Sequence, residues 1–423
     1  MKIFLESIGC RLNLSEIEKM AAGLRTAGHE IVGDSSDADI AIVNTCAVTS
    51  SASADSRKSI RKIANSGCEK IIVTGCYATI APADMTDLPS VMNVYGNTEK
   101  AKIISELIKE RQPSTSILTV REPLPGKKHR TRAFIKVQDG CDNHCTFCIT
   151  RIARGKSISQ SESEIFIDVE AAIKGGVKEI VLTGVNLGSW GKDIGEKFSL
   201  PKLIDKIIDK YAPDRIRLSS LEPWDIDQSY FPVFENPSFC QHLHLPLQSG
   251  SNTVLNKMGR KTSTDGYKEL VQNIRNDFPE MAISTDIIVG FPGESEENFN
   301  ESISFVENLN FAGGHVFRYS PRTGTPAEKI CESVPEKEKI RRSKKMRKLI
   351  ENSEYLYKEK FIDKYLSVLW ERSKKLEDGY FLMSGLTGNY LRVNVIAHED
   401  LRNKISKVQI IKNENNQLFG KLK

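Results

Sequence analysis

The sequence predicts an α/β protein in three parts: an N-terminal parallel α/β domain over residues 1–112, a central partial (β/α)6 barrel over 133–330, and a small C-terminal antiparallel β domain over 361–423. Three observations point to it. Short apolar runs alternate with helical patterns through the first hundred residues. The same alternation repeats six times from Phe134 onward. Beyond a basic helix that opens at Pro335, only short strand-like runs remain. A chain of 423 residues is also too long for one ordinary domain.

In the N-terminal part, Lys2–Ser7, Asp39–Asn44 and Lys70–Gly75 read as strands. Ser15–Ala27, Ser53–Ala64 and Lys100–Arg111 read as helices, with Ser15 a candidate N-cap. Cys10, Cys46 and Cys76 each follow one of the strands. The carboxyl ends of parallel strands share one edge, where α/β folds place their ligands. Three thiols far apart in sequence are therefore expected to converge into a site able to hold an iron–sulfur cluster. Taken singly, each also suits a buried free thiol. Cys68 precedes a strand, which assigns it to the opposite edge. Gln112 to Arg132, with Pro113, Pro123, Pro125 and Gly126 followed by Lys127, Lys128, His129, Arg130 and Arg132, reads as a linker.

In the central part, strands are expected at Phe134–Gln138, Glu179–Thr183, Arg215–Ser220, His242–Pro246, Ile283–Val289 and His315–Tyr319. Helical patterns such as Glu164–Lys174, Lys202–Asp209, Gly266–Asn276 and Glu296–Leu309 lie between them. Six units fall short of the eight of a closed barrel, so an open partial barrel is expected. The first strand leads into Q-D-G-C-D-N-H-C-T-F-C-I-T-R-I-A-R-G, with Cys141, Cys145 and Cys148 in a C-x3-C-x2-C spacing. Three ligands are one short of a structural zinc site, which His144 or a distant residue would complete. They are also one short of the four thiolates of an electron-carrying cluster, which would leave one iron open to a ligand.

Glycine-bearing or polar loops follow the later strands: Thr183–Gly191, Ser219–Trp224, Leu245–Ser251 and Asp286–Glu294. Glycines there admit close approach of a ligand to the backbone. Gly184, Asn186, Glu222, Gln248, Asp286 and Gly290 are the candidate cofactor-binding residues, in a cavity of nucleoside size. His242 and His244 alternate along one strand and are expected to face the barrel interior.

The helix Glu336–Lys360 holds ten Lys or Arg against five acids, with Ile340, Leu349, Ile350 and Leu356 as its expected apolar pins. Strand-like runs follow at Tyr365–Glu371, Gly379–Leu382, Leu391–Ile396 and Lys407–Lys412, with a turn at Gly385, Gly388 and Asn389. Tyr380, Phe381 and Tyr390 beside Lys374, Lys375 and Arg392 mix rings and cations as single-stranded RNA binding requires. From Glu336 onward the chain carries +9 against −4 for the remainder, which suggests an anionic macromolecular partner. No signal-peptide pattern or membrane-length apolar run is present, and the nine cysteines show no secreted-type spacing, so a cytoplasmic location without membrane contact is expected.

The Cys141–Cys148 spacing resembles the signature of the radical S-adenosylmethionine (SAM) enzymes. Together with V-N-T-C-A-V, E-I-V-L-T-G-V-N-L-G and H-V-F-R-Y-S-P-R-T-G-T-P-A, the order of parts resembles the methylthiotransferases over nearly the whole chain. Among their branches it looks most like those acting on N6-threonylcarbamoyladenosine in tRNA. That resemblance implies two 4Fe–4S clusters, one on Cys141, Cys145 and Cys148 that cleaves SAM to a 5′-deoxyadenosyl radical, and an auxiliary one on Cys10, Cys46 and Cys76 that carries sulfur. It also implies a TRAM-like RNA-binding C-terminal module, the anticodon stem-loop of tRNA as partner and a reducing electron donor. Asp286–Glu294 resembles the segment that packs on the adenine of SAM. Thr150–Arg151 and Arg318 depart from the family pattern, where Ile-Pro and proline are common. Alternative targets are isopentenyl-adenosine in tRNA or a ribosomal-protein aspartate; a non-catalytic alternative is a zinc-stabilised RNA-binding protein.

Overall fold

The computed structural model describes residues 1–108, 122, 131–195 and 199–423. Pro113, Pro123, Pro125, Gly126, Lys127, Lys128, His129 and Arg130 of the expected linker lie outside the described residues, as does the expected helix end at Arg111. The chain divides into two compact units. The first holds Met1–Asn143, Cys148–Val177 and Thr183–Val185; the second holds His144–Phe147, Lys178–Leu182 and Asn186–Lys423.

The first unit is built on a five-stranded parallel sheet in the order Glu30–Val32, Lys2–Ser7, Ile40–Thr45, Ile71–Gly75, Val91–Tyr95. Ile40–Thr45 and Ile71–Gly75 are buried along their whole length, as the β-branched runs of a sheet covered on both faces should be. One face packs on Ile17, Met20, Ala21 and Leu24 of the helix Arg11–Thr26. The other packs on Ile60 and Ile63 of the helix Ser50–Asn65, whose Thr49 hydroxyl accepts from Ala52 N at 3.0 Å as its N-cap. The two edge strands escape sequence reading. Glu30–Val32 has three residues, and Val91–Tyr95 interrupts its apolar run with exposed Asn93.

The first helix starts earlier than its sequence suggests. Cys10, not Ser15, takes the N-cap position, and Ser15 sits inside the helix accepting from Lys136 N at 3.1 Å. Leu12 and Asn13 are buried, so the packed face extends ahead of the serine.

The central domain is the expected partial barrel, and Glu179–Thr183 and Glu296–Leu309 keep their expected bounds. Other strands shift or shorten, to Arg132–Lys136, Ile216–Leu218 and His242–His244. Pairing is parallel from Ile180–Leu182 to Ile216–Leu218, from His242–His244 to Ala282–Ser284, and from Ser284–Val289 to Gly313–Arg318, with a bridge at Ser220 and His244. In the first unit, Val137 N donates to Thr183 O at 2.9 Å.

The helix Glu336–Glu359 buries Met346, Ile350, Ser353 and Tyr357, one face of a 3.6-residue repeat. Of the expected pins only Ile350 is buried; Ile340 and Leu356 are exposed. Beyond it lies a closed five-stranded barrel in the order Tyr365–Lys375, Phe381–Thr387, Arg392–Ala397, Gln417–Leu422, Ile405–Glu414. Its neighbours run antiparallel except at Val393 and Leu418, where the pairing is parallel. Closure removes the open edges of such a short sheet. Gly385 proves to be a strand residue, not a turn residue: a Cβ there would stand 2.7 Å from Trp370 Cε3. The turn falls at Gly388 and Asn389.

Candidate functional site

The strand order of the first unit explains where its thiols go. Lys2–Ser7 and Ile40–Thr45 are neighbours, yet the chain leaves them toward opposite ends of the sheet. Such a switch point opens a crevice at the carboxyl ends, where α/β sheets bind ligands. Cys10 follows the first of these strands and Cys46 the second, while Cys76 follows the next strand over. Gly9, at φ +90, brings its segment so close that a Cβ would stand 2.5 Å from Cys46 Sγ. Burial pushes the Cys46 thiol up to about 11, and nearby Cys10 and Cys76 add to the rise.

Cys76 Sγ accepts from Arg154 Nε at 3.3 Å and from Asn97 Nδ2 at 3.6 Å. The same guanidinium donates to Asn13 Oδ1 at 2.7 Å, and Asn13 Oδ1 also accepts from the Cys10 thiol at 3.7 Å. Arg154 is in turn held by Glu16 at 3.0 Å and Asp139 at 2.9 Å. Lys100 and Lys136 complete the cluster at 2.5 and 3.2 Å from Glu16. Burial alone would raise the Glu16 carboxyl; Lys100, Arg154 and Lys136 outweigh it and hold the group well below the usual carboxylate range. Beside this network is a cavity of about 540 Å³ whose lining includes Glu16, Lys100, Lys136, Asp139 and Arg154.

The second thiol group is local in sequence. In the first unit, Cys141 N donates to Gly155 O at 3.1 Å and the Cys148 thiol donates to Thr150 Oγ1 at 3.2 Å. Gly140, at φ +67, meets the chain at Lys156 so closely that a Cβ would overlap its carbonyl oxygen. In the second unit, Thr146 N donates to Met258 O and Ala327 N donates to Thr146 O, both at 2.9 Å, which fixes the backbone beside Cys145. Arg260 reaches Cys145 Sγ at 3.7 Å, donates to Pro246 O at 2.6 Å and Glu222 at 2.7 Å, and lies 4.5 Å over the Trp224 ring.

The candidate cofactor-binding residues differ in what surrounds them. Glu222 belongs to the Arg260 pair. Asp286 accepts from His244 Nε2 at 3.2 Å, and His244 Nδ1 meets Ser220 Oγ at 2.6 Å. Gln248, at φ +74, donates from its backbone N to Asp286 O at 2.8 Å. Gly184 is half-buried just past its strand, and Asn186 is buried. Gly290, at φ +71, packs on the Lys339 side chain, which gives it a steric role of its own. His242 is buried, its ring stacked at 4.2 Å on Tyr390. That stacking, with Arg217 5.0 Å from the same ring, anchors the Tyr390 side chain, and Phe381 packs on the barrel core. Tyr380 and Tyr390 both stay exposed, at 37% and 41%, with Tyr380 beside His398 at 4.7 Å.

Among the described residues, no group of three His, Cys, Asp or Glu side chains is gathered tightly enough to hold a single metal ion. Ligands on three corners of an iron–sulfur cube stand farther apart than those around one ion. Three thiols suit an iron–sulfur cluster with one open iron, and a zinc ion would need a fourth ligand.

Residues 2–96 match the uncharacterized protein family UPF0004, and residues 135–306 match the radical SAM superfamily. The threonylcarbamoyladenosine tRNA methylthiotransferase MtaB of Thermotoga maritima is 38% identical over 419 residues, covering 96% of this chain and 93% of the relative. The chain belongs to the radical SAM methylthiotransferase family. The MtaB of Bacillus subtilis is 34% identical over 97% of this chain and 94% of its own. A tRNA-2-methylthio-N(6)-dimethylallyladenosine synthase of Clostridium tetani is also 34% identical, over 99% of this chain and 95% of its own. The radical SAM methyltransferase TsrM of Kitasatospora setae shares the fold, with TM-score 0.58 at 13% identity over 77% of each chain.

Membership of the methylthiotransferases implies SAM and a 4Fe–4S cluster. Two residues escaped the sequence reading of this methylthiotransferase, Arg154 and Arg260. Arg154 lies inside the cysteine stretch itself, in R-I-A-R-G, but a surface helix end explains an arginine equally well. Arg260 carries no local signal at all. No helix among the described residues is long and apolar enough to cross a membrane.

Proposed function

We propose that this methylthiotransferase adds a methylthio group to carbon 2 of N6-threonylcarbamoyladenosine at position 37 of tRNA, beside the anticodon. The observation behind the reading is the pair of all-cysteine groups in one chain, one local at C-x3-C-x2-C and one assembled at the switch point of the N-terminal sheet. Cys141, Cys145 and Cys148 would hold the radical cluster; Cys10, Cys46 and Cys76 would hold a second, sulfur-supplying one. The higher identity to a threonylcarbamoyladenosine enzyme favours that nucleoside over its dimethylallyl counterpart.

Carbon 2 of adenine bears an unactivated C–H bond that no side chain can break at neutral pH. Bound SAM and clusters supply the one-electron chemistry and the methyl group. The chain's own residues do the rest. Thr146 and Arg260 fix the segment around Cys145, and Arg260 brings charge-assisted hydrogen bonds to the carbonyl of Pro246 and to Glu222. Asn186, Gln248 and Asp286 of the second unit, at the carboxyl ends of barrel strands, would receive SAM, with His244 orienting the Asp286 carboxylate. Arg154 and Asn97 donate to the Cys76 sulfur. The basic C-terminal quarter and the small barrel would engage the tRNA stem-loop, and a reducing partner would supply electrons.

The test is anaerobic reconstitution with iron and sulfide, then nucleoside mass spectrometry on tRNAs carrying either modified adenosine. Two clusters per chain and methylthiolation of the threonylcarbamoyl nucleoside are the expected result. Product only on dimethylallyl-adenosine would reassign the substrate.

A further inference from the structure

We propose that Arg154 is the positioning residue of the dispersed thiol site: its guanidinium, anchored by Glu16 and Asp139, donates to the Cys76 sulfur and sets the charge under which that site holds its cluster. This rests on the reading of Cys10, Cys46 and Cys76 as cluster ligands. Arg154 spreads its N–H groups over four partners of different kinds: a sulfur (Cys76, 3.3 Å), an amide oxygen (Asn13, 2.7 Å) and two carboxylates (Glu16, 3.0 Å; Asp139, 2.9 Å). The side chain is almost wholly buried, at 2% exposure. A plain salt bridge would need only the carboxylates. The bond to sulfur, and the shared contact with Asn13 that also takes the Cys10 thiol, aim the cation at the ligands.

Charge count supports the direction of the effect. Around this point stand three cations, Arg154, Lys100 and Lys136, against two acids, Glu16 and Asp139. A cation within hydrogen-bond reach of a thiolate ligand stabilises the reduced, more negative state of a cluster and raises its reduction potential. The acids that hold Arg154 in place oppose it. Arg154 also lies six residues beyond Cys148, and Asp139 two residues before Cys141. The short segments on either side of the local cysteine triplet thus supply the groups that act on the dispersed one, so a change in this stretch is felt by thiols of the N-terminal sheet.

The experiment uses the full chain with Cys141, Cys145 and Cys148 replaced by Ala, so that iron reports on the dispersed site alone. Redox titration followed by electron paramagnetic resonance, with iron and sulfide counts, is run on this background and on Arg154→Met, Arg154→Lys, Glu16→Gln and Asp139→Asn. Arg154→Met is expected to lower the midpoint potential. Arg154→Lys, which keeps the charge but not the spread of donors, is expected to recover part of the shift. Glu16→Gln and Asp139→Asn are expected to raise the potential. Two acidic variants are included so that one misfolding does not decide the matter. A purely structural Arg154 would give loss of iron without a shift in the remaining cluster, or shifts of one sign in all variants, and either result overturns the proposal. If the background itself binds no cluster while the unmodified chain binds one, the reading of a second site fails and the proposal with it.

Discussion

The two thiol groups of this methylthiotransferase reach the same donor chemistry by opposite routes. Cys141, Cys145 and Cys148 lie within eight residues, and chain connectivity alone keeps them near one another. Cys10, Cys46 and Cys76 are spread over the whole N-terminal sheet, and only the parallel pairing of Lys2–Ser7, Ile40–Thr45 and Ile71–Gly75 brings their loops to one edge. The local group therefore spends little conformational entropy on assembly, while the dispersed group borrows its order from the sheet. Damage to the sheet should disable one and spare the other.

The sharpest way to break this comparison is to remove one ligand from each group. Cys145→Ala is expected to reduce SAM cleavage to background, and with it all product. Cys46→Ala is expected to retain SAM cleavage while methylthio product disappears. Chromatography for 5′-deoxyadenosine and nucleoside mass spectrometry separate the two. Methylthio product from reconstituted Cys46→Ala protein would end the assignment of the dispersed group.

Backbone changes give the next largest effect. Gly75 precedes Cys76 at φ +101, with a Cβ there overlapping Thr45 O; Gly140 precedes Cys141 at φ +67, with the clash at Lys156 O. Each Gly→Ala change should cost on the order of 3 kcal/mol, from left-handed backbone strain plus overlap. Gly75→Ala should lower the iron count of the dispersed group and Gly140→Ala that of the local one. Urea unfolding and iron analysis of the triple-Ala background, and of its counterpart with Cys10, Cys46 and Cys76 replaced, measure both. Equal loss from both groups in each variant would erase the distinction.

Arg260→Met tests the support behind Cys145. It removes the donor 3.7 Å from that sulfur and leaves Glu222 without its 2.7 Å partner. Loss of such a supporting contact should weaken iron retention by the local group about 10-fold in a chelator challenge. The dispersed group should be unaffected. The smallest effect is the control: Gly28→Ala places a methyl in open space at φ +79, so only the backbone term of about 1 kcal/mol is expected, with both iron counts unchanged.

The elements that sequence reading found and those it missed divide along the same physical line. Ile40–Thr45 and Glu296–Leu309 were legible because burial on both faces, or on one stripe, writes a periodic apolar pattern. The edge strands Glu30–Val32 and Val91–Tyr95 were not, since an edge buries too little to leave one. Ser15 imitated an N-cap because its residue type fits that role, whereas its real partner is Lys136 N, 121 residues away. Tyr390 is expected from its sequence neighbours to face RNA; in the fold it stays 41% exposed, and its packing against His242 and Arg217 is what no sequence window shows.

From the sequence by itself came the strand–helix alternation, the local cysteine triplet and the placing of three further cysteines after strands. These depend on spacing, and spacing survives in an unfolded chain. The tertiary structure alone decided that Arg154 would touch Cys76 and that Arg260 would stand behind Cys145. A buried cation is stable only where opposite charges from distant segments surround it, and no window of sequence contains those segments together.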